Sequence, residues 1–451
     1  MRLLTTKGKT PKQVADELFA PATAFAAQQE AEVRAIIDAV KARGDAAVIE
    51  YTRRFDCPTM TAARLPVTAK EFAAARAEVG EEFLQAVATA AEHVRAFHEK
   101  QVPRDWIDLT QPGVVLGQKF TPIARVGIHI PGFTASYPST VVMTVAPAKA
   151  AGVEEISLVT PARRDGTVHP ATLAAISVLG VTRVFKVGGA QAIAALAYGT
   201  RTIPKVDKIV GPGSVYPTLA KKMVFGDVGI EGLYGPSEVV ILADESADPR
   251  LLAADLLAQA EHMEDSPVIL VTPARAVAVA TQKELEAQLR RLPRKSLAAE
   301  AITRYGGIAV TKSLDEAVAV VNELAAEHVQ ICTAEPFALL SQIKNAGAIF
   351  VGQSSPVPLG DYVIGPSHSL PTGRTARFLS GLGTMDFLKR TSIIYTSAAA
   401  VAEHAEVVRT LGALEGLEGH VRAVEARLGS GVQGAGSRKQ GAGEEGGGRR
   451  R

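Results

Sequence analysis

Two hydrophobic textures divide this chain. Through the first hundred residues, apolar positions recur at helical spacing, in 31–43 and again in 71–100, with breaks at Pro11, Gly44, Pro58 and Pro66. From about residue 120, short β-branched runs alternate with segments rich in Ala, Leu and Val. The runs predict strands over 125–130, 155–160, 183–187, 208–210, 239–243, 268–272, 308–311, 329–333 and 348–351. Helices are expected between them, including 141–151, 170–179, 190–198 and 251–262. Alternation of this kind implies parallel sheets with helices on both faces. Nine strands exceed what one mononucleotide-binding half needs, so two α/β domains are expected, with candidate boundaries at 127–131 and 232–237. After residue 391 the pattern returns to helix, over 398–411 and 418–428. The stretch 429–451 is Gly, Ser, Gln, Glu and Arg with almost no large apolar residue, and is expected to be disordered because it cannot offset its chain entropy.

Composition narrows the function classes. The chain has 451 residues, with 49 Lys+Arg against 47 Asp+Glu, so no basic stripe points to nucleic acid and no like-charge block points to a membrane surface. The N-terminus lacks the apolar core of a signal peptide, and no apolar run approaches the length of a bilayer span. Cys57 and Cys332 match neither a disulfide framework nor a CxxC site, and read as reduced thiols of a cytoplasmic protein.

Candidate chemistry is concentrated in a few segments. Gln259 and His262 are three apart in a helical run, which places them on one helix face with Cβ atoms roughly 5–6 Å apart. Imidazole suits zinc, and an amide oxygen is an uncommon but acceptable donor. A surface Gln and a His near a helix end is the plainer alternative. Glu327 and His328 stand at a helix-to-strand junction, where a carboxylate beside an imidazole makes either an acid–base pair or a polar cap on a strand. Asp361 and His368 lie in a Gly/Pro-rich loop and are candidate binding groups or simple turn residues. Two glycine-rich loops, Val187-Gly-Gly-Ala-Gln191 and Val210-Gly-Pro-Gly-Ser214, follow strands, and their amides could face an anion or merely make tight turns. Neither matches G-x-G-x-x-G. His93, His98, His169 and His404 read as residues of polar helix faces or loops.

Taken in order, these segments resemble the histidinol dehydrogenase family. The residues that carry the resemblance are Gly127-Ile-His-Ile-Pro-Gly132, Tyr137-Pro-Ser-Thr-Val141, the run from Val187-Gly-Gly-Ala-Gln191 to Gly199, Lys208-Ile-Val-Gly-Pro-Gly213, Gly235-Pro-Ser-Glu238, the run Ala253–His262, Glu327-His328, Gly360-Asp361, His368-Ser-Leu-Pro-Thr372 and Glu418-Gly-His420. They span about residues 25 to 428.

The resemblance implies oxidation of L-histidinol to L-histidine in two NAD-dependent steps through the aldehyde, by a zinc-dependent homodimer in histidine biosynthesis. It implies zinc ligands Gln259, His262, Asp361 and His420, the last from the partner subunit, and Glu327 and His328 as the acid–base pair. Ser237, His368 and Glu415 match positions close to the substrate, and Gln191 a dinucleotide contact. The expected zinc site has one carboxylate and otherwise neutral donors, which leaves the ion net positive.

His129 and Ser214 align with dinucleotide contacts but stand where the family often has Tyr and Asn, which keeps open a paralogue acting on another amino alcohol or diol. A zinc hydrolase using Glu327 and a non-catalytic binding relative complete the alternatives. The expected organisation is two Rossmann-like parallel-sheet domains with helical ends: an N-terminal helical segment 1–24, a first α/β domain from 25–128 and 238–381, a second from 129–237, a C-terminal helical segment 382–428 that serves dimerisation, and the tail 429–451.

Overall fold

The computed structural model of the chain describes residues 1–19, 27–132 and 136–428; the proposed boundary at 24/25 and the tail 429–451 lie outside them. The chain divides into two compact units, one made of Met1–Val102 with Pro122–Lys389, the other of Pro103–Thr121 with the chain from Arg390 on.

Among the described residues, the first unit holds two parallel sheets. One has six strands in the order Arg2–Thr5, Gly306–Val310, Val268–Thr272, Val239–Ala243, His328–Cys332 and Ala348–Val351. The other has five, in the order Arg183–Lys186, Glu155–Thr160, Arg125–His129, Lys208–Val210 and Gly229–Ile230. Every pairing within these sheets is parallel. The expected α/β architecture with two parallel sheets is therefore present.

The strands read as near-continuous apolar runs because both faces are covered. Successive side chains point to opposite faces. Val239, Ile241 and Ala243 pack into one core with Leu252, Leu256 and Ala260 of the helix Pro249–Ala260. Val240 and Leu242, in between, pack into another with Val14, Leu18 and Val321. The five-stranded sheet is covered in the same way, with Ile128 and Leu158 on one side and Val159 and Ile209 on the other.

The structure corrects several expectations. The N-terminal segment is not only helical: Arg2–Thr5 is a strand on the edge of the six-stranded sheet, and the helix Pro11–Leu18 follows it. Four residues are too few to show a period. The helix Ala69–Glu99 is interrupted at Gly80, whose φ of 77° departs from helix. The strand Arg125–His129 runs through most of residues 127–131, one of the two expected boundaries. His98 is fully buried, and its ring faces the carbonyls of Val94 and Leu382. The C-terminal segment likewise contains a strand, Leu388–Thr396.

That strand belongs to the second unit, where it joins Val114–Pro122 and Trp106–Asp108 in a three-stranded sheet, with the latter two antiparallel. The helices Ala398–Leu414 and Glu418–Leu428 pack on each other. This unit exposes an unusual set of large apolar side chains, among them Trp106, Ile107, Leu109, Ile394, Leu411 and Leu414.

One buried charge in the first unit yields a stability prediction. Asp56, which ends the helix Asp45–Phe55, is 5% exposed, and both its carboxyl oxygens lack hydrogen-bond partners. Burial pushes its carboxyl up to about 7 from an ordinary 3.8. Its contribution is therefore present below the unfolded value and is lost as pH rises through 7. Asp56→Asn removes this titration. The stability of the variant relative to the parent, from urea unfolding at pH 5 and pH 8, should rise by about 3 kcal/mol across that range; an unchanged difference contradicts the assignment.

Candidate active site

The acid–base candidates lie at the amino edge of the six-stranded sheet. His328 is the first residue of its strand, and its register partner is Val239, the first residue of the neighbouring strand. Glu327 and Glu238 therefore sit side by side, one position before each strand begins. Glu327 Oε2 accepts from Ser237 Oγ at 2.6 Å and from Glu238 N–H at 2.8 Å. In return Glu327 N–H donates to Glu238 Oε1 at 3.1 Å. His328 is held by the same partner, with Nδ1 2.9 Å from the Glu238 carbonyl oxygen. A carbonyl only accepts, so Nδ1 carries a proton and Nε2 is the free position in the neutral ring.

Nε2 of His328 lies 3.6 Å from Asp361 Oδ1, and Nδ1 lies 3.4 Å from Glu327 Oε2. Burial opposes charge on the ring, but Glu327 and Asp361 together raise its pKa to about 9. Glu327 is raised by burial, against the pull of His328 and its hydrogen bonds. Glu238 is pushed up to about 8 by burial and by the adjacent Glu327, so it is a neutral acid at pH 7. One of two neighbouring buried carboxyls is thereby kept protonated, as electrostatics requires. Phe350 closes one side of the imidazole at a ring separation of 5.9 Å.

Asp361 falls in the short helix Val357–Tyr362 rather than in a loop. That helix packs against Pro249–Ala260. Gly360 permits the approach to the site: a Cβ there would lie 2.7 Å from the Phe350 ring. Burial opposes the Asp361 charge, but the hydrogen bond and charge of His328, with His368 and His262 nearby, hold its carboxyl below the usual range. His368 Nδ1 donates to the Asp361 carbonyl at 3.0 Å, and its Nε2 lies 3.2 Å from Thr140 Oγ1. Burial keeps this ring neutral by lowering its pKa.

Gln259 and His262 do not share a regular helix face, because the helix ends at Ala260. Gln259 is inside it and buried, while His262 is exposed in the turn that follows, where its N–H donates to the Gln259 carbonyl. His262 Nδ1 lies 3.0 Å from the Ala258 carbonyl, leaving Nε2 as a lone-pair donor. Both amide atoms of Gln259 lack partners although the side chain is 2% exposed. A buried amide without partners is costly unless a ligand uses it. Gln259, His262 and Asp361 carry donor types that suit a zinc-like cation, although among the described residues no group of three or more His, Cys, Asp or Glu side chains is placed to hold a metal ion.

The dinucleotide candidates sit at the carboxyl edge of the five-stranded sheet. His129 ends its strand, is buried, and directs Nδ1 to the Pro212 carbonyl at 2.8 Å. Burial and the Lys221 charge lower its pKa to about 4, so it is neutral. Ser214 is exposed and precedes the helix Val215–Val224. Gln191 is buried in the helix Gly189–Tyr198 and folds back over Gly189, whose φ is 68°. Glu415 and His420 belong to the second unit, where both are exposed, one ending the helix Ala398–Leu414 and the other in the first turn of Glu418–Leu428. Glu238 and Thr140 escaped sequence reasoning as individual functional positions. Glu238 carried a usable signal, a charged residue directly before the all-apolar strand Val239–Ala243.

Comparison with known proteins matches this arrangement to one family. The family model described as histidinol dehydrogenase matches residues 21–428. The histidinol dehydrogenase of Geobacillus kaustophilus is 50% identical over 89% of this chain and 94% of its own length. That of Bacillus subtilis is 49% identical over 89% of this chain and 93% of its own. A solved histidinol dehydrogenase structure from Elizabethkingia anophelis superposes with a TM-score of 0.89 at 34% identity, covering 95% of this chain and 98% of that one.

The two bonds to Glu327 make Ser237 a sensitive position. Ser237→Ala removes a charge-assisted hydrogen bond of roughly 1.5–3 kcal/mol. The Glu327 carboxyl, followed by NMR titration or by the pH–rate profile, should rise by about one unit or more; an unmoved value shows that the Glu238 amide alone sets it.

Proposed function

The chain belongs to the histidinol dehydrogenase family of oxidoreductases, and on that premise we propose that it oxidises L-histidinol to L-histidine through the aldehyde, with NAD as oxidant and zinc as resident metal. The observation that carries this reading is the buried Glu327–His328 pair, whose free imidazole nitrogen faces Asp361, together with the buried, unpartnered amide of Gln259. Gln259, His262, Asp361 and a His420 supplied by a second copy of the chain would hold the zinc, which offers a Lewis-acid anchor for the substrate's amine and imidazole nitrogens. NAD, when bound, would supply the hydride acceptor for each of the two oxidations.

The protein residues then divide the proton chemistry. His328 accepts the carbinol proton at Nε2 while hydride leaves the carbon. Its high proton affinity comes partly from Asp361. A cation held by Asp361 would offset that carboxylate's charge and leave the ring nearer the neutral range that suits a base. Glu327 takes a proton from the water that adds to the aldehyde, and loss of a second hydride from the resulting gem-diol leaves the carboxylate. Ser237 and the Glu238 amide hold Glu327 in place for that step. His368 and Glu415 stand at substrate-contact positions, and His129, Gln191 and Ser214 line the dinucleotide side.

A homodimer follows from the same reading. The exposed apolar side chains of the second unit supply a surface that association would bury. The assignment of His420 and Glu415 across that interface completes a ligand set that one chain leaves short. A cytoplasmic location belongs to the same reading; among the described residues no helix is long and apolar enough to cross a membrane.

Purified zinc-loaded protein mixed with L-histidinol and NAD should form two NADH per histidinol, read at the nicotinamide absorbance. Reduction only with other alcohols identifies a paralogue, the reading kept open by His129 and Ser214; no reduction with any alcohol favours a hydrolase or a binding protein. His328→Ala should lower turnover by about 100-fold or more, the usual worth of a general base, with zinc content unchanged. His420→Ala should weaken zinc binding at least ~10-fold, measured by metal analysis after dialysis against a chelator. Unchanged stoichiometry removes His420 from the ligand set.

A further inference from the structure

The loop Gly211–Gly213, between the strand Lys208–Val210 and the helix Val215–Val224, is gripped from behind at each carbonyl. Lys221 Nζ donates to the Gly211 oxygen at 3.1 Å, His129 Nδ1 to the Pro212 oxygen at 2.8 Å, and Thr218 Oγ1 to the Gly213 oxygen at 3.1 Å. The Gly211 N–H donates to Glu231 Oε1 at 2.7 Å, and the same oxygen meets Lys221 Nζ at 2.7 Å. The Lys221 and Glu231 side chains are only 3% and 1% exposed. The Tyr234 ring lies 5.1 Å beneath the ammonium. Gly211 has a φ of 114°, and a Cβ there would come within 2.1 Å of the His129 carbonyl oxygen, so the loop has no freedom to bear a side chain at that point.

A trans peptide plane sets its N–H opposite its C=O. With the Pro212 and Gly213 oxygens turned inward, the N–H groups of Gly213 and Ser214 are turned outward, in line with the start of the following helix. A buried ion pair is an expensive way to brace a loop, and a hydrophobic pair of the same volume would often be as stable. Its retention asks for a role beyond stability.

We propose that Lys221 and Glu231, with Thr218, are positioning residues that fix this loop for the dinucleotide, setting NAD affinity without touching the reacting atoms. The inference rests on the assignment of NAD to this sheet edge. The segment that carries Glu231 is anchored separately at its far end, where Ser237 and Glu238 hold Glu327. Loss of the clamp should therefore leave the substrate side in place.

The test is the double variant Lys221→Met/Glu231→Met in the full-length zinc-loaded protein. It removes both charges and leaves neither buried alone. Its Kd for NAD, from fluorescence or calorimetric titration, should rise about 10-fold, and KM for NAD should follow. The kcat at saturating NAD, the KM for L-histidinol and the zinc content should stay within about twofold. Thr218→Val, isosteric and charge-neutral, releases only Gly213 and should raise the NAD Kd about threefold; it decides the matter if the double variant does not fold. NAD affinity within twofold of the parent in a folded variant overturns the clamp. A matching loss in histidinol KM or zinc content overturns it too, by showing a general structural role. A parent protein that binds no NAD overturns both the clamp and the reading beneath it.

Discussion

The candidate active site depends on one reciprocal interaction, the pairing of Glu327 with the Ser237–Glu238 segment. Glu327 accepts two bonds at a single oxygen and returns one through its own amide. The same Glu238 then orients His328 through its carbonyl. These bonds lie where two adjacent parallel strands begin, so they fix strand register and side-chain placement together. They also make a buried carboxylate tolerable, because an unpaired one would cost several kcal/mol. The imidazole is left with one free nitrogen, aimed at Asp361.

The two sheets offer opposite edges to chemistry. His129 and the Gly211–Gly213 loop stand at the carboxyl edge of the five-stranded sheet, the usual place for ligands in open α/β folds. Glu327 and His328 stand at the amino edge of the six-stranded sheet, which is not that place. The chain crosses from one sheet to the other between Gly229–Ile230 and Val239–Ala243. That crossing carries a buried carboxyl group near each end, Glu231 against Gly211 and Glu238 against Glu327. In the proposed reading, dinucleotide and acid–base residues are thus tied to one short segment whose ends are independently braced.

Much of this was readable from local pattern. The nine strand segments predicted from β-branched runs are all strands, eight of them within one residue at both ends, because parallel strands buried on both faces must be continuously apolar. The failures have equally physical causes. Arg2–Thr5 is too short to show a period and is a strand only because Gly306–Val310 lies beside it. The strand Leu388–Thr396 of the second unit is exposed along most of its length, so its residues show no alternation of buried and exposed positions to detect. His98 sits in a helix that looks amphipathic, and only its packing shows that its ring is enclosed.

The sequence by itself determined the α/β class, the order of elements and the family, since ordered motifs along most of the chain leave little room for another reading. It also marked the residue types fit for metal, proton and dinucleotide chemistry. Tertiary structure decided which of them meet. Gln259 and His262 looked like neighbours on one helix, yet one is buried with an unpartnered amide and the other is exposed past the helix end. Asp361 reaches His328 because a short helix packs on the helix that carries Gln259. Lys221 and Glu231 carried no motif at all. Their pairing exists because a helix and a crossing segment converge under one glycine loop, and contacts between residues distant along the backbone are set by packing rather than by local pattern.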